Sequence, residues 1–269
     1  MTRQFGRARA VAACALVALA ALAVTGLGDR TATDRALAAP AGTPTPARTE
    51  EASLESTETT PLPAEMAWVG DSRQLVVVTA DGLGETTGTV RVFEQRDGAW
   101  VELLEVPAWL GRRGMRDGAH RVQGDQTTPT GIWRMPDFVF GAHPSPPSGT
   151  KMRYRHITMR TWWSGRRDKT FNSWVVRKGR WHGEHLADSK RSYEFAISTG
   201  FNARPNHVRM SRGCAIFLHV HAHPGGTAGC VAVSRADMIR IVRLLDPAKL
   251  PRFASGTTVS GSATSIWAY

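Results

Sequence analysis

From residue 67 onward, apolar and polar positions alternate mostly every second residue, the period of a β-strand. Residues 75–79 (Leu-Val-Val-Val-Thr) form an apolar, β-branched run that predicts a buried strand. Residues 89–94 and 100–104 alternate in character, and Arg96-Asp97-Gly98-Ala99 between them predicts a tight hairpin turn. Further strands are predicted over residues 132–136, 170–176, 193–198 and 215–220. One segment has the helical period instead: Met238, Ile239, Val242 and Leu245 share a face, Ser234 and Asp237 are spaced as an N-terminal cap, and Pro247 stops the run. No internal repeat interrupts the pattern. It predicts a mainly β domain, a β-sandwich or barrel with one C-terminal helix. The alternation fails between Pro136 and Thr170, where Pro144, Pro146, Pro147, Gly149, Trp162, Trp163 and Gly165 cluster. This stretch is either a lid over a binding groove or a surface loop whose tryptophans pack on the core.

The first 66 residues do not fit that domain. Arg3, Arg7 and Arg9 precede an uncharged apolar stretch over residues 10–27, and Ala36-Leu37-Ala38 is an A-x-A cleavage pattern. Residues 1–38 are therefore expected to be a signal peptide, with an uncleaved membrane anchor as the alternative. Cys14 opens the apolar run rather than ending it, so it reads as an ordinary signal residue, not a lipidation site. Residues 39–66 contain five prolines and almost no large apolar side chains, which predicts a disordered tether. The remainder, 67–269, is expected to be one catalytic domain.

The formal charge is +11 overall. Residues 1–38 hold five Arg and two Asp, and residues 39–66 one Arg and five Glu, so residues 67–269 carry +12. Such a domain attracts polyanions. Nucleic acid is one class of polyanion, but the export signal excludes it as the expected partner and points to the anionic polymers of a cell envelope.

The residues with chemistry lie late in the chain. Cys230 follows Gly229 in Thr227-Ala228-Gly229-Cys230-Val231, eleven residues after His219. A thiolate is the nucleophile in acyl transfer, and an adjacent imidazole can take its proton and hold the ion pair. Glycine before the nucleophile permits close approach of substrate and can leave amide N–H groups free for an oxyanion. A structural cysteine is the plain alternative. Iodoacetamide discriminates between the two, because an activated thiol reacts fast near neutral pH.

His219, His221 and His223 alternate, so on a strand they share a face. This permits either one general base or a three-imidazole zinc site. No acid lies between Glu194 and Asp237 to support a metal, and the domain is expected to hold no metal and no cofactor. Cys214, in Ser211-Arg212-Gly213-Cys214, either fills a small niche or bridges Cys230 under oxidising conditions. His185 in Glu184-His185-Leu186, and Tyr193, are candidates for the substrate groove. Asp125, Thr128 and Thr130 sit in a Gly/Pro turn and read as scaffold.

Gly124-Asp125-Gln126-Thr127-Thr128-Pro129-Thr130-Gly131-Ile132-Trp133, then Ala215-Ile216-Phe217-Leu218-His219, then Thr227-Ala228-Gly229-Cys230-Val231 occur in order. With Gln74 to Val78 and Glu184-His185-Leu186, this set resembles the YkuD-type L,D-transpeptidase catalytic domain in a divergent actinobacterial branch. The resemblance spans roughly residues 67–250 and implies a β-rich fold. It implies Cys230 as nucleophile, His219 as catalytic histidine and peptidoglycan stem peptides as substrate. The commoner family signature has His directly before Gly-Cys and Arg soon after it; here Ala228 and Val231-Ala232-Val233 stand there. His221 or Arg212 is the expected stand-in. The implied activity is an exported cysteine acyltransferase working through a thioester, with L,D-carboxypeptidase or a non-catalytic basic wall-binding protein as alternatives.

Overall fold

The computed structural model describes residues 69–259 and 262–265. The expected signal segment, Cys14 and the tether lie outside the described residues. The period-two segments form strands: β1 (Gln74–Ala80), β2 (Thr87–Arg96), β3 (Ala99–Trp109), β4 (Met115–Asp117), β5 (Thr128–Arg134), β6 (Phe138–Gly141) and β7 (Arg153–His156). They continue as β8 (Thr161–Ser164), β9 (Trp174–Val176), β10 (Gly183–His185), β11 (Ala196–Ser198), β12 (Phe217–Val220) and β13 (Val231–Val233). Helix α1 (Arg235–Leu244), β14 (Arg252–Val259) and β15 (Ser262–Ser265) complete the order. Twelve strands make one mixed sheet along the path β4-β5-β14-β1-β2-β3-β13-β12-β11-β6-β7, with β15 beside β14; β10-β8-β9 make a second sheet. The expectation of a mainly β domain with one C-terminal helix holds.

The sequence sets these elements by local means. Every residue of β1 is buried, because it lies between parallel β14 and antiparallel β2. The β2–β3 hairpin turns on Asp97 and Gly98, both at positive φ (49° and 82°), which is type I′ geometry. Ser234 caps α1 by accepting the Asp237 N–H, as its spacing predicts. The far end of α1 is held by Gln74, whose amide donates to Leu244 C=O (2.8 Å) and accepts from Asp246 N–H (2.8 Å). The buried Gln74 thus satisfies helix-terminal groups that would otherwise be orphaned.

Alternation along β12 divides the interior. Leu218 and Val220 face one side and join Val139, Ile197, Val231 and Val233 against Met238, Ile241 and Val242 of α1. Phe217 faces the other side with Phe140, Ala196 and Cys230, under Trp163 of the small sheet. The stretch expected to be a lid or loop folds into β7 and β8, and Trp163 is buried in this second cluster. Three predicted strands start later than the pattern suggested. Asp168 caps a turn through Thr170, Asn172 has φ 54°, and Ala215 has φ 58°, so pairing begins at Trp174 and Phe217; β11 begins at Ala196. Among the described residues no helix is long and apolar enough to cross a membrane.

Candidate active site

The parallel pairing of β12 with β13 sets Leu218 opposite Val231 and His219 opposite Ala232. Cys230 and Ala232 therefore share a face with Phe217 and His219. A strand spacing of about 4.8 Å and a rise of about 3.3 Å per residue put the Cys230 and His219 Cα atoms about 8 Å apart on a diagonal. Both side chains are buried (8% exposed each).

Gly229 lets the chain deliver Cys230 there. Its φ is +129°, and an added Cβ would lie 2.8 Å from Thr127 C=O, so only glycine fits without displacement. The following carbonyl is fixed twice: Cys230 C=O accepts from Thr227 Oγ1 (2.6 Å) and Thr128 Oγ1 (3.3 Å). Thr128, expected to be scaffold, thus ties the Gly/Pro turn to the nucleophile loop. Gly229 N–H donates to Thr227 Oγ1 (3.0 Å), so it is occupied and not open for an oxyanion. Cys230 N–H has no partner among the described residues.

The thiol is held as a thiol. Its Sγ accepts from Phe217 N–H (3.4 Å) and faces Ala215 C=O (3.5 Å) as donor. Burial pushes its pKa up to about 12; Phe217 N–H opposes this, Glu184 adds to it and Arg121 opposes it. His219 Nδ1 lies 2.9 Å from Val220 C=O, which can only accept, so Nδ1 carries the proton and Nε2 is left as a base. Burial pushes His219 down to about 4, with the Val220 contact opposing and His221 and His223 adding. Burial thus favours the neutral thiol and the neutral imidazole over the ion pair that the sequence suggests. Both groups have been taken from water, and no counter-ion of sufficient strength replaces it.

Tyr193 lies over His219 edge to face (5.5 Å between centroids) and donates its hydroxyl to Glu184 Oε1 (2.5 Å). Burial pushes Glu184 up to about 7, with the Tyr193 bond opposing and Asp188 adding. Burial, then Glu184 and Cys230, raise Tyr193 well above its ordinary value. Sequence reasoning placed Tyr193 at the site but missed Glu184, although it stands in the Glu184-His185-Leu186 element already singled out. His185 is built into the frame: its ring nitrogens face Asp188 Oδ1 (2.8 Å) and Met159 C=O (3.0 Å), and it lies against Trp162.

Of the two expected stand-ins, His221 stacks flat on Trp109 (3.8 Å, 2°), and its Nε2 lies 3.1 Å from Gly225 C=O. Arg212 meets the site through its backbone carbonyl, which accepts from Arg121 Nη1 (3.3 Å). The guanidinium beside the nucleophile is Arg121, which the sequence reading missed. It is 3% exposed, pairs with Asp125 (3.1 Å), and its Nη2 lies 3.4 Å from the point a Cβ on Gly229 would occupy. Its Nε is a buried donor without a partner among the described residues. Burial opposes the Asp125 charge, but N–H bonds from Val122 and Thr127 and the Arg121 charge hold its carboxyl below the usual range.

Asn172 is a second residue missed. Its Oδ1 accepts from Trp163 Nε1 (2.6 Å) and Ala215 N–H (3.0 Å), and its Nδ2 donates to Phe201 and Asn202 carbonyls. It fixes Ala215, whose carbonyl faces the thiol. Cys214 is buried next to Ala215, and neither it nor Cys230 is in a disulfide. The three histidines do not converge: His219 is buried, His223 is exposed, and among the described residues no three His, Cys, Asp or Glu side chains form a metal-holding group.

These features define a β-rich domain that sets a buried thiol and a neutral imidazole on one face of a sheet, beside a buried guanidinium. Residues 86–260 match the family model of the L,D-transpeptidase catalytic domain, YkuD, and the chain belongs to this family. No curated protein matches the chain. Among solved structures it is similar to the helical cell shape determining protein Pgp2 from Campylobacter jejuni (16% identity, TM-score 0.42, 72% of this chain and 51% of that one). It is also similar to Bd1075 of Bdellovibrio bacteriovorus (16% identity, TM-score 0.36, 72% and 50%). The chain thus spans about half the length of these two proteins.

Proposed function

We infer that the protein is an exported L,D-transpeptidase that acts on peptidoglycan stem peptides through a Cys230 thioester. Membership of the family supports this reaction class. The observation that carries the reading for this chain is the His219 tautomer: with Nδ1–H tied to Val220 C=O, the free Nε2 is a neutral base on the same sheet face as the thiol.

The steps follow from that arrangement. His219 Nε2 takes the Cys230 proton as Sγ attacks a stem-peptide carbonyl, so charge appears only as the bond forms. The oxyanion is met by Cys230 N–H and by the Arg121 charge, which supplies what the family's arginine after the cysteine would supply. The carbonyl collapses, its C–N bond breaks, and the leaving amine takes the proton from His219. An amine of a second stem then attacks the thioester, gives its proton to His219, and expels Sγ, which is reprotonated. Water in place of that amine gives the carboxypeptidase outcome. Residues 1–38 serve export and 39–66 tether residues 67–269 in the envelope, where the +12 domain meets anionic wall polymers.

The test is incubation with purified stem tetrapeptides and analysis by mass spectrometry. Dimeric cross-linked peptide is expected from the native chain and none from Cys230→Ala. Tripeptide alone assigns the hydrolase. No product from either protein, with wall binding retained, assigns a non-catalytic binding protein.

A further inference from the structure

The small sheet packs one side on the core and turns the other away from it. Along β8, Trp163 is buried in the cluster around Phe217, so Trp162 and Ser164 point outward. β8 lies between β10 and β9 and is antiparallel to both, with Val176 opposite Thr161 and Gly183 opposite Ser164. Residues 177–182, which join β9 to β10, must therefore travel the length of β8. They are bonded at both of its ends: Arg177 N–H donates to Arg160 C=O (2.8 Å), and His182 C=O accepts from Gly165 N–H (2.9 Å). Trp181 is pinned to the outward side by its Nε1–H, which donates to Ser164 Oγ (3.1 Å).

Positive charge concentrates in this segment and its surroundings. Residues 160–182 hold five Arg, two Lys and one Asp, a net +6 that is half of the +12 of residues 67–269. All seven cations are exposed. Among the described residues, only Arg166 of the seven has a carboxylate at ion-pair distance, Asp168 (2.9 Å). Arg166 and Arg177 both lie over the Trp181 ring, 4.7 and 4.8 Å from its centroid. Their guanidinium carbons are thus less than about 10 Å apart, on the order of one Debye length. The ring gathers two like charges, and an anion relieves their repulsion. An arginine over a ring keeps its N–H edge for a bidentate partner.

The cations are spread along β8, four residues or about 13 Å. A small anion reaches two of them, whereas a chain with a charge in each repeat meets them in series. A phosphodiester carries one negative charge per repeat and offers two oxygens to a guanidinium fork. We propose that the outward side of the small sheet, centred on Trp181 with Arg166 and Arg177, binds a linear phosphodiester polymer. Export, as inferred above, brings this side to such polymers; the binding itself does not need Cys230.

Binding of poly(glycerol phosphate) to the full chain is measured by calorimetry across a salt series. Cys230→Ala is expected to bind as the native chain does, so failure of the thioester chemistry and failure of this surface are read separately. Arg177→Gln, Lys178→Gln and Arg180→Gln together are expected to weaken binding at least tenfold. The same triple variant should lower the slope of log K against log salt by about two to three. Arg112→Gln, Arg113→Gln and Arg209→Gln together remove the same charge from exposed positions outside residues 160–182. They are expected to weaken binding less than twofold. Trp181→Ala, which leaves the charge unchanged, is expected to weaken it several-fold. Should the first triple variant not fold, Lys178→Gln with Arg180→Gln gives the same reading, since neither side chain has a partner among the described residues. Equal losses in the two triple variants overturn the proposal in favour of diffuse attraction by the whole domain, and so does binding unaffected by Trp181→Ala. Tighter binding of poly-γ-glutamate assigns a polycarboxylate instead, and free glycerol phosphate binding as tightly as the polymer assigns a small anion; either result overturns it.

Discussion

Cys230 rests protonated, and this governs how it reacts. With its thiol pushed up to about 12, alkylation by iodoacetamide is expected to be slow at pH 7 and to rise about tenfold per pH unit through pH 10, because only the thiolate reacts, so slow labelling at neutrality does not mark this cysteine as merely structural. A fast, pH-independent reaction at neutrality would show a resting ion pair instead. His219→Ala is expected to slow acylation by roughly 10²–10⁴-fold, the usual loss for acid–base assistance, while His223→Ala leaves the rate unchanged. The same residues shape stability against pH. Glu184 has a folded value raised to about 7 from 4.5, so its contribution is full below pH 4.5 and is lost as pH rises through 7. His219 has a folded value lowered to about 4 from 6.5, so its contribution is full above 6.5 and is lost as pH falls through 4. The two contributions oppose each other between pH 4.5 and 6.5, so melting temperature is expected to stay nearly level there, and Glu184→Gln is expected to unmask the rise with pH that His219 contributes between pH 4 and 6.5. The placing of Cys230 and His219 on one sheet face was legible because their segment is local. Arg121 and Asn172 were not: 109 and 58 positions separate them from Cys230 in the chain, and only the folded sheet brings them in.

Helix α1 and the β2–β3 hairpin were readable because their signals are short-range: a cap at fixed spacing, a period, an Asp-Gly turn. Strand starts were less so. Ala215 and Asn172 adopt positive φ without being glycine, and such conformations are set by tertiary hydrogen bonds rather than by local preference. The tryptophan-rich stretch was ambiguous for the same reason, since short strands such as β8 pair with partners about twenty residues away. Packing of α1 supports the opposite face of the strands that carry the site. Ile241, fully buried against them, is expected to cost about 2–5 kcal/mol when changed to Ala, measured as a lower denaturant midpoint with an unchanged slope.

Across the whole molecule, residues 67–269 carry a charge of +12, which makes binding to polyanions testable. Binding to purified anionic wall material is expected to weaken steeply with added salt, because screening acts on exposed arginines; binding that is equal at 50 mM and 500 mM NaCl, on the order of a threefold change in Debye length, would remove charge as its basis. The mainly β fold class follows from period, while leader and tether are expectations from composition that lie outside the described residues. The aromatic-roofed face over β11, β12 and β13 does not follow from either, because it depends on which short strands form the second sheet. The central claim is covalent chemistry at one sulfur, and intact-mass spectrometry after brief mixing with stem tetrapeptide and no acceptor amine tests it most directly. A mass increase equal to the acyl tripeptide, mapped to Cys230, lost in hydroxylamine and absent from Cys230→Ala, is the predicted result. Cross-linked product formed with full activity by Cys230→Ala would contradict the account.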